Sequence, residues 1–328
     1  MRIAKWLLIM AAPAAFFLTT GCGSNPHAPD EKYILVADNT KIPYWQAGLQ
    51  GLNSAAAEMQ VKSEMQGPDG HDPKGEHDAF KRAVAEKPAG ILVSATDPSI
   101  LTPDIDSALD QGIPVITIDS DAPDSKRLFF VGTDNYNAGL MGGKMAAKLL
   151  NGRGNVVIYT ISAQLNLKDR LQGYQAAFAD HPEMKVLQVV DMNGNSDIAF
   201  DSAKKLLDSK TKVDAFICLE ALSCPAVADV VNRSNMAGKV KIIAMDTDPG
   251  TIDWINKGVI SATIAQKPWT MAYFGAKLLG SIHLHPPKPL AGNWAQNVYS
   301  PIPTFVDTGS FIVNKENVST LSQQPPGR

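Results

Sequence analysis

The sequence predicts an α/β protein made of two doubly wound parallel-sheet domains. Past the N-terminus, short apolar runs alternate with amphipathic segments of ten or more residues, the signature of strands linked through helices and hence of right-handed parallel units. The runs are nearly continuous in apolar residues, as in Ile91-Leu92-Val93 and Val115-Ile116-Thr117-Ile118, which suits strands covered on both faces. There are ten such runs in 328 residues, too many for one sheet of about five or six strands, and the length accommodates two cores.

Taken in order, the chain opens with Arg2 and Lys5 ahead of an apolar run from Trp6 to Leu18, followed by Thr19-Thr20-Gly21-Cys22. A basic start, a short apolar stretch and small residues at its end predict an export signal. The run is shorter than the roughly 20 residues that span a bilayer. A Cys directly after Gly predicts a lipoprotein signal over residues 1–22, ending at an acylated Cys22, and residues 23–31 read as a tether. Strands are then expected at Tyr33–Asp38, Val61–Gln66, Ala89–Ser94, Pro114–Asp119 and Leu128–Val131. A second series follows at Asn155–Thr160, Met184–Val190, Ala215–Leu219, Lys241–Met245 and Ser261–Ala265. Helical patterns lie between them at Trp45–Met59, Glu76–Glu86, Asn137–Leu150, Arg170–Asp180 and Ala199–Leu207. The junction of the two domains falls near Gly132-Thr133-Asp134-Asn135, Pro286-Pro287-Lys288-Pro289 reads as a loop, and residues 317–328 read as a disordered tail.

Composition removes several function classes. Lys+Arg 30 against Asp+Glu 33 gives a formal net charge of −3, which leaves no basic excess for nucleic acid. Asn151-Gly152-Arg153-Gly154 follows a helix and precedes a strand, the reverse of the order a dinucleotide fingerprint needs. Gly142-Gly143-Lys144 lies within a helix, where small residues serve close packing. The cluster His71, Asp72, Glu76, His77 and Asp78 reads as a solvated first turn of a helix, where acids suit the dipole, and His283 with His285 lacks a third ligand. No metal or cofactor is expected. No nucleophile elbow occurs, and Cys218 and Cys224 read as buried free thiols.

What stands out is a set of polar residues at the carboxyl ends of apolar strands: Asp38, Asp119, Glu220, Asp246 and Gln266. Ligands of parallel α/β sheets bind at those ends, and a carboxylate there can accept from two neighbouring hydroxyls. For one residue alone, capping of the next helix is an equally good reading; five together favour a hydroxyl-binding site.

From Tyr33 to about Val313 the chain resembles the ribose/galactose-type periplasmic sugar-binding proteins, whose fold also forms the effector domains of lactose-repressor-like regulators. The likeness is carried by Gly112-Ile113-Pro114-Val115-Ile116-Thr117-Ile118-Asp119, Val131-Gly132-Thr133-Asp134-Asn135, Arg170-Leu171-Gln172-Gly173-Tyr174, Ile243-Ala244-Met245-Asp246 and Ala262-Thr263-Ile264-Ala265-Gln266-Lys267-Pro268. The resemblance implies the periplasmic-binding-protein type I architecture, with a hinge crossed several times. One lobe then comprises 32–133 plus 267–303, and the other 134–266 plus 304–316. A helix Trp269–Leu279 returns to the first lobe and a tail strand Thr304–Val313 crosses back.

It further implies that Tyr44 and Trp45 stack on a sugar, whose C–H face such rings shield. Asp119 and Asp246 would take hydroxyls, Arg170 would donate in a planar fork, and Gln266 would sit at the crossing. Ser120, Glu220 and Asp38 depart from the ribose-binding pattern, and the second-lobe aromatic is missing near Asn193-Gly194. Four carboxylates facing one arginine point to a neutral or amino sugar, since an anion would be repelled. The implied mechanism is ligand-driven closure of the lobes, and the implied partner is the permease of an ABC importer. The protein is expected to be an exported, lipid-anchored monomer and not an enzyme. Two rival readings are a sensor that presents its closed form to a membrane protein, and a sugar-acting α/β enzyme using Asp119 with Asp246 or Glu220 as a carboxylate pair.

Overall fold

The computed structural model describes residues 25–323, so the export signal, Cys22 and the last five positions lie outside the described residues. The first lobe is built from β1 (Lys32–Val36), α1 (Pro43–Met59), β2 (Lys62–Gln66), α2 (Pro73–Ala85), β3 (Gly90–Val93), α3 (Pro98–Asp110), β4 (Val115–Ile118) and β5 (Phe130–Gly132). The second contains α4 (Asn135–Leu149), β6 (Arg153–Thr160), α5 (Leu165–Ala179), β7 (Glu183–Asp191), α6 (Ser196–Asp208), β8 (Ala215–Cys218), α7 (Ser223–Arg233), β9 (Lys241–Met245), α8 (Pro249–Asn256) and β10 (Ala262–Ala265). The chain then returns through α9 (Pro268–Leu284), β11 (Phe305–Asp307) and β12 (Phe311–Asn314).

The two sheets repeat one arrangement, β11-β5-β4-β3-β1-β2 and β12-β10-β9-β8-β6-β7. All pairings are parallel except β10 with β12. Strands β1, β3, β4, β8 and β10 are apolar and buried almost throughout, because helices cover both faces. Strand β7 departs from that expectation. It lies at a sheet edge and leaves Val186, Leu187 and Val189 exposed.

Helix starts follow local chemistry. Asp72, Asp97, Asp134 and Asn195 accept backbone N–H groups at the starts of α2, α3, α4 and α6, and proline opens α1, α8 and α9 where no intrahelical N–H is needed. Helices α4 and α5 pack with their backbones in contact. A β-carbon on Gly139 would lie 1.9 Å from the carbonyl oxygen of Arg170. That close approach, with Gly142 and Gly143 against Tyr174 and Ala177, fixes the turn of α5 that carries Arg170, as the small-residue reading of this helix predicts.

Three expectations are corrected. The single tail strand Thr304–Val313 is two strands in different sheets. Phe305–Asp307 extends the first lobe beside β5, and only Phe311–Asn314 joins the second beside β10. The third crossing therefore falls after Asp307, through Gly309 at φ +76°, a left-handed turn that a continuous strand cannot contain. The tail expected to be disordered from residue 317 forms a 3-10 helix over Val318–Gln323 with Val318 buried. The tether expected at 23–31 is folded onto the first lobe from Asn25 onward, whose side chain donates to the Met59 carbonyl at 2.7 Å, while His27 Nδ1 lies 2.7 Å from Glu31.

Candidate ligand-binding cleft

The carboxyl ends of the two sheets face each other across a cleft, and all eight residues singled out for ligand binding line one cavity there: Asp38, Tyr44, Trp45, Asp119, Arg170, Glu220, Asp246 and Gln266. Its free volume is about 70 Å³, room for about two waters at roughly 30 Å³ each, so the lobes are drawn together and a larger ligand enters only when they part. A hollow of about 860 Å³ lies elsewhere, between α6 and α7 at the opposite end of the second sheet. It gathers none of the strand-end polar groups and has the form of a surface groove.

Asp119 follows β4 and Asp246 follows β9, and these strands hold the same place in the two sheets. Both residues take left-handed backbone, φ 64° and 70°, a region that among side-chain-bearing residues is most open to Asp and Asn. Their amides are also bonded alike, to the carbonyls of Val131 and Ile264 on the neighbouring strands. Tyr44 donates to Asp119 Oδ1 at 2.6 Å, and Asn166 of the second lobe reaches Asp119 Oδ2 at 3.4 Å. Trp45 meets Tyr44 edge to face with ring centres 5.2 Å apart.

Arg170 is only 2% exposed. It donates to the Leu219 carbonyl, to the Asn135 side chain and, at 3.3 Å, to Gln266 Oε1, while its Nε has no protein acceptor. Gln266 also accepts from Thr133 at 2.8 Å and donates to Asp246 Oδ1 at 2.9 Å. One amide thus ties the first hinge crossing, the second crossing and a cleft carboxylate together. Glu220 realises the capping alternative while still lining the cavity. Its carboxylate accepts from the amides of Leu222 and Ser223 and from the Ser223 hydroxyl at the start of α7.

Burial dominates the titration of this site. It pushes Asp119 up to about 6, against the pull of Tyr44 and Arg170. It pushes Asp246 up to about 8, against Arg170 and Gln266. Just outside the cavity, Asp248 is raised to about 6, by burial and then by Glu220. Glu220 itself is raised by burial, with its capping bonds and Arg170 opposing.

The structure also corrects the reading of the His71–Asp78 segment. Asp72 does cap α2, but Glu76 is fully buried beneath the site, where burial and Asp38 hold its carboxyl well above the usual range. His77 pairs with Asp104. Among the described residues, no group of three or more His, Cys, Asp or Glu could hold a metal ion. His71 lines the cavity with Asn39, Gln164 and Asn166, none of which was expected there. A signal for His71 existed, because the loop after β2 leaves the same carboxyl edge as Asp38. Cys218 and Cys224 are buried and unbonded, as expected.

Two parallel α/β lobes with a polar, aromatic-lined cavity between their carboxyl ends, joined by three crossings, define a protein built to bind a ligand between its lobes. The chain belongs to the periplasmic binding protein family: the profile described as "Periplasmic binding protein domain" matches residues 33–282. Among solved structures it is similar to a sugar-binding protein of a sugar ABC transporter from Bacillus halodurans, at 36% identity over 88% of this chain and 99% of that one with TM-score 0.79. It is also similar to AraP, an arabinose-binding protein from Geobacillus stearothermophilus, at 34% identity over 89% and 99% with TM-score 0.75. A curated relative, the xylose/arabinose-binding protein XylF of Sulfolobus acidocaldarius, is 22% identical over 90% of this chain and 74% of its own length. These relatives are binding proteins, and the family is extracytoplasmic.

Proposed function

We propose that the chain is the solute-binding component of an ABC-type importer, capturing one neutral monosaccharide between its lobes. The observation that carries this is the convergence of Tyr44, Trp45, Asp119, Arg170 and Asp246 on one cavity between the lobes. Carboxylates accept sugar hydroxyls, Arg170 Nε offers an unused donor, and the rings cover apolar C–H faces. The relatives named for arabinose and xylose place pentoses first in the panel. The neutral sugar is favoured over an amino sugar by charge balance. Asp38, 2.6 Å from His71, draws that imidazole towards its charged form, while burial raises the Asp246 carboxyl to about 8, and both weaken the net negative field that would hold an ammonium group.

Opening and closing would follow ligand-driven population shift about the three crossings. The mature protein would be a monomer held to the membrane through acylated Cys22, with no cofactor and no catalytic step. A thermal-shift screen of the mature protein against pentoses, hexoses, amino sugars and sugar acids tests this. A ligand at a hundred times its dissociation constant stabilises by about 2.7 kcal/mol. A neutral aldose is expected to give the largest shift, and a larger shift from an amino sugar or uronate would overturn the charge argument. A sensing role is the second reading, favoured by similarity to a structure described as a XylFII–LytSN complex, at 28% identity over 88% of this chain and 98% of that one with TM-score 0.77. Sugar uptake lost on deleting the gene, with sugar-responsive transcription kept, would favour import; the converse would favour sensing.

A further inference from the structure

The loops after β2 and β7 are counterparts in the two lobes, since each leaves the edge strand that ends its sheet. Across the cleft they meet. A β-carbon built on Gly194, in the turn after β7 at φ +73°, would lie 2.5 Å from Cβ, Cγ and Cδ2 of His71 in the loop after β2. The His71 ring therefore rests on bare backbone of the opposite lobe. Its Nδ1 stands 2.6 Å from Asp38 Oδ2, its side chain is 12% exposed, and it lines the cavity. Three surroundings converge on one imidazole: a carboxylate of its own lobe, a glycine of the other, and the ligand space. The second lobe has no aromatic near Asn193-Gly194, and the ring filling that space comes from the first lobe instead.

We propose that His71 is a specificity- and closure-determining residue, whose ring is held by Asp38, presents its remaining nitrogen to the ligand, and seats on Gly194 of the opposite lobe. This rests on the sugar-binding reading for the ligand and on geometry alone for the contact between lobes. With Nδ1 committed to Asp38, Nε2 is a hydrogen-bond donor when the ring is charged and an acceptor when it is neutral. The groups facing the ring are Asp38 from the β1–α1 connection, Asp72 from its own loop and Glu220 from the second lobe. The Asp38 hydrogen bond leads in raising the imidazole above its usual range, opposed by burial. The charged ring offers Nε2 as a donor to a ligand oxygen, and the neutral ring offers it as an acceptor from a ligand hydroxyl. Gly194 does not line the cavity; a side chain placed there would meet the His71 ring first and strain a turn at φ +73°, so it acts through the seating of His71.

The test uses the full mature chain as wild type, His71→Ala and Gly194→Val. Pentoses and hexoses are titrated calorimetrically, and the Gly194 amide resonance is followed from pH 5 to 9. Both variants are expected to weaken the best sugar at least tenfold. His71→Ala should change the wild-type order of preference among sugars, and Gly194→Val, which displaces the same ring, should shift it in the same direction. The Gly194 resonance should move with the titration of His71. Binding by His71→Ala within twofold of wild type, with unchanged preference, would overturn the proposal. If no sugar binds the wild type, the sugar reading fails on its own and the amide decides the contact. A Gly194 resonance that tracks His71 upholds it, and a flat one overturns it.

Discussion

In the first lobe Asp119 ends β4, and in the second Asp246 ends β9; the two positions share strand order, left-handed backbone and amide partner. Their surroundings differ. Asp119 is met by a tyrosine hydroxyl of its own lobe and by an asparagine reaching over from the other, and its neighbours Tyr44 and Trp45 present aromatic surface. Asp246 belongs to a closed polar network with Gln266, Arg170, Thr133 and Asn135, with no aromatic among the second-lobe residues that line the cavity. The same topology thus carries two kinds of half-site. One is a stacking face with a carboxylate bonded from both lobes, and the other is a prearranged polar lattice joined to the hinge. A preorganised lattice loses less freedom when the ligand arrives, so the second lobe supplies orientation and the first supplies contact area.

The comparison breaks most severely at Arg170. Arg170→Met leaves the Leu219 carbonyl and the Asn135 and Gln266 side chains without their shared donor, and Asp246 without its cation. The expected cost is about 3–5 kcal/mol of stability, measured by denaturant unfolding, together with loss of detectable sugar binding. The two aspartates should separate next. Asp119→Asn is expected to weaken binding by about 10- to 100-fold, the range of a charge-assisted hydrogen bond, and to stabilise the ligand-free protein less than the Asp246 variant does, because its pKa is raised less. Asp246→Asn should weaken binding similarly yet stabilise the ligand-free protein by about 1 kcal/mol, because a buried ionisable group is removed while Gln266 keeps an acceptor. Equal stability changes in the two variants would erase the distinction between the lobes.

Acidity sharpens the same contrast. Asp119, Asp246 and His71 all have pKa values raised on folding. The folded chain therefore binds more protons than the unfolded chain at intermediate pH, and stability falls as pH rises. For the carboxyls the benefit is complete below the unfolded values and is lost as pH climbs through about 6 for Asp119 and about 8 for Asp246. Melting of the ligand-free protein should drop between pH 5 and 8, at about 2–4 °C per kcal/mol. Asp246→Asn should flatten the upper part of that curve and Asp119→Asn the lower. The smallest effect is expected at Glu220, whose carboxylate is occupied by α7. Glu220→Gln should cost about 1 kcal/mol as a weakened cap and change sugar affinity less than threefold, read by the same titrations.

The legible parts of the molecule were those written in periodicity. Apolar runs marked both sheets, and the polar residue closing or following five of the ten runs (Asp38, Asp119, Glu220, Asp246 and Gln266) marked the cleft, because a parallel strand ends where its apolar face ends. That rule found Asp119 and Asp246 without further help, while Tyr44, Trp45 and Arg170 came from resemblance. What it missed depends on paths that carry no period. His71 reaches the cleft through an irregular loop, and Asn166 enters from the start of α5. Glu76 sits in a helical pattern that looks solvated, yet its turn faces inward beneath Asp38. The split of β11 from β12 turns on the left-handed Gly309, whose neighbours would suit one longer strand. Glu220 answers both descriptions of a strand-end acid at once, since its position serves the cavity and its oxygens serve a helix.

The left-handed backbone at Asp119 and Asp246 has a consequence for how such a cleft can diversify. At these positions a β-branched or bulky residue would strain the chain, whereas Asn and Gly fit the same conformation. Descendants of this sequence can therefore retune the two central acceptors by deleting charge or deleting the side chain, with little scope for altering shape. Tyr44 in α1 and Leu222 ahead of α7 stand on right-handed backbone that accepts most residues. New ligand preferences should accumulate at the walls of the cleft, around two anchors that change seldom and in few ways.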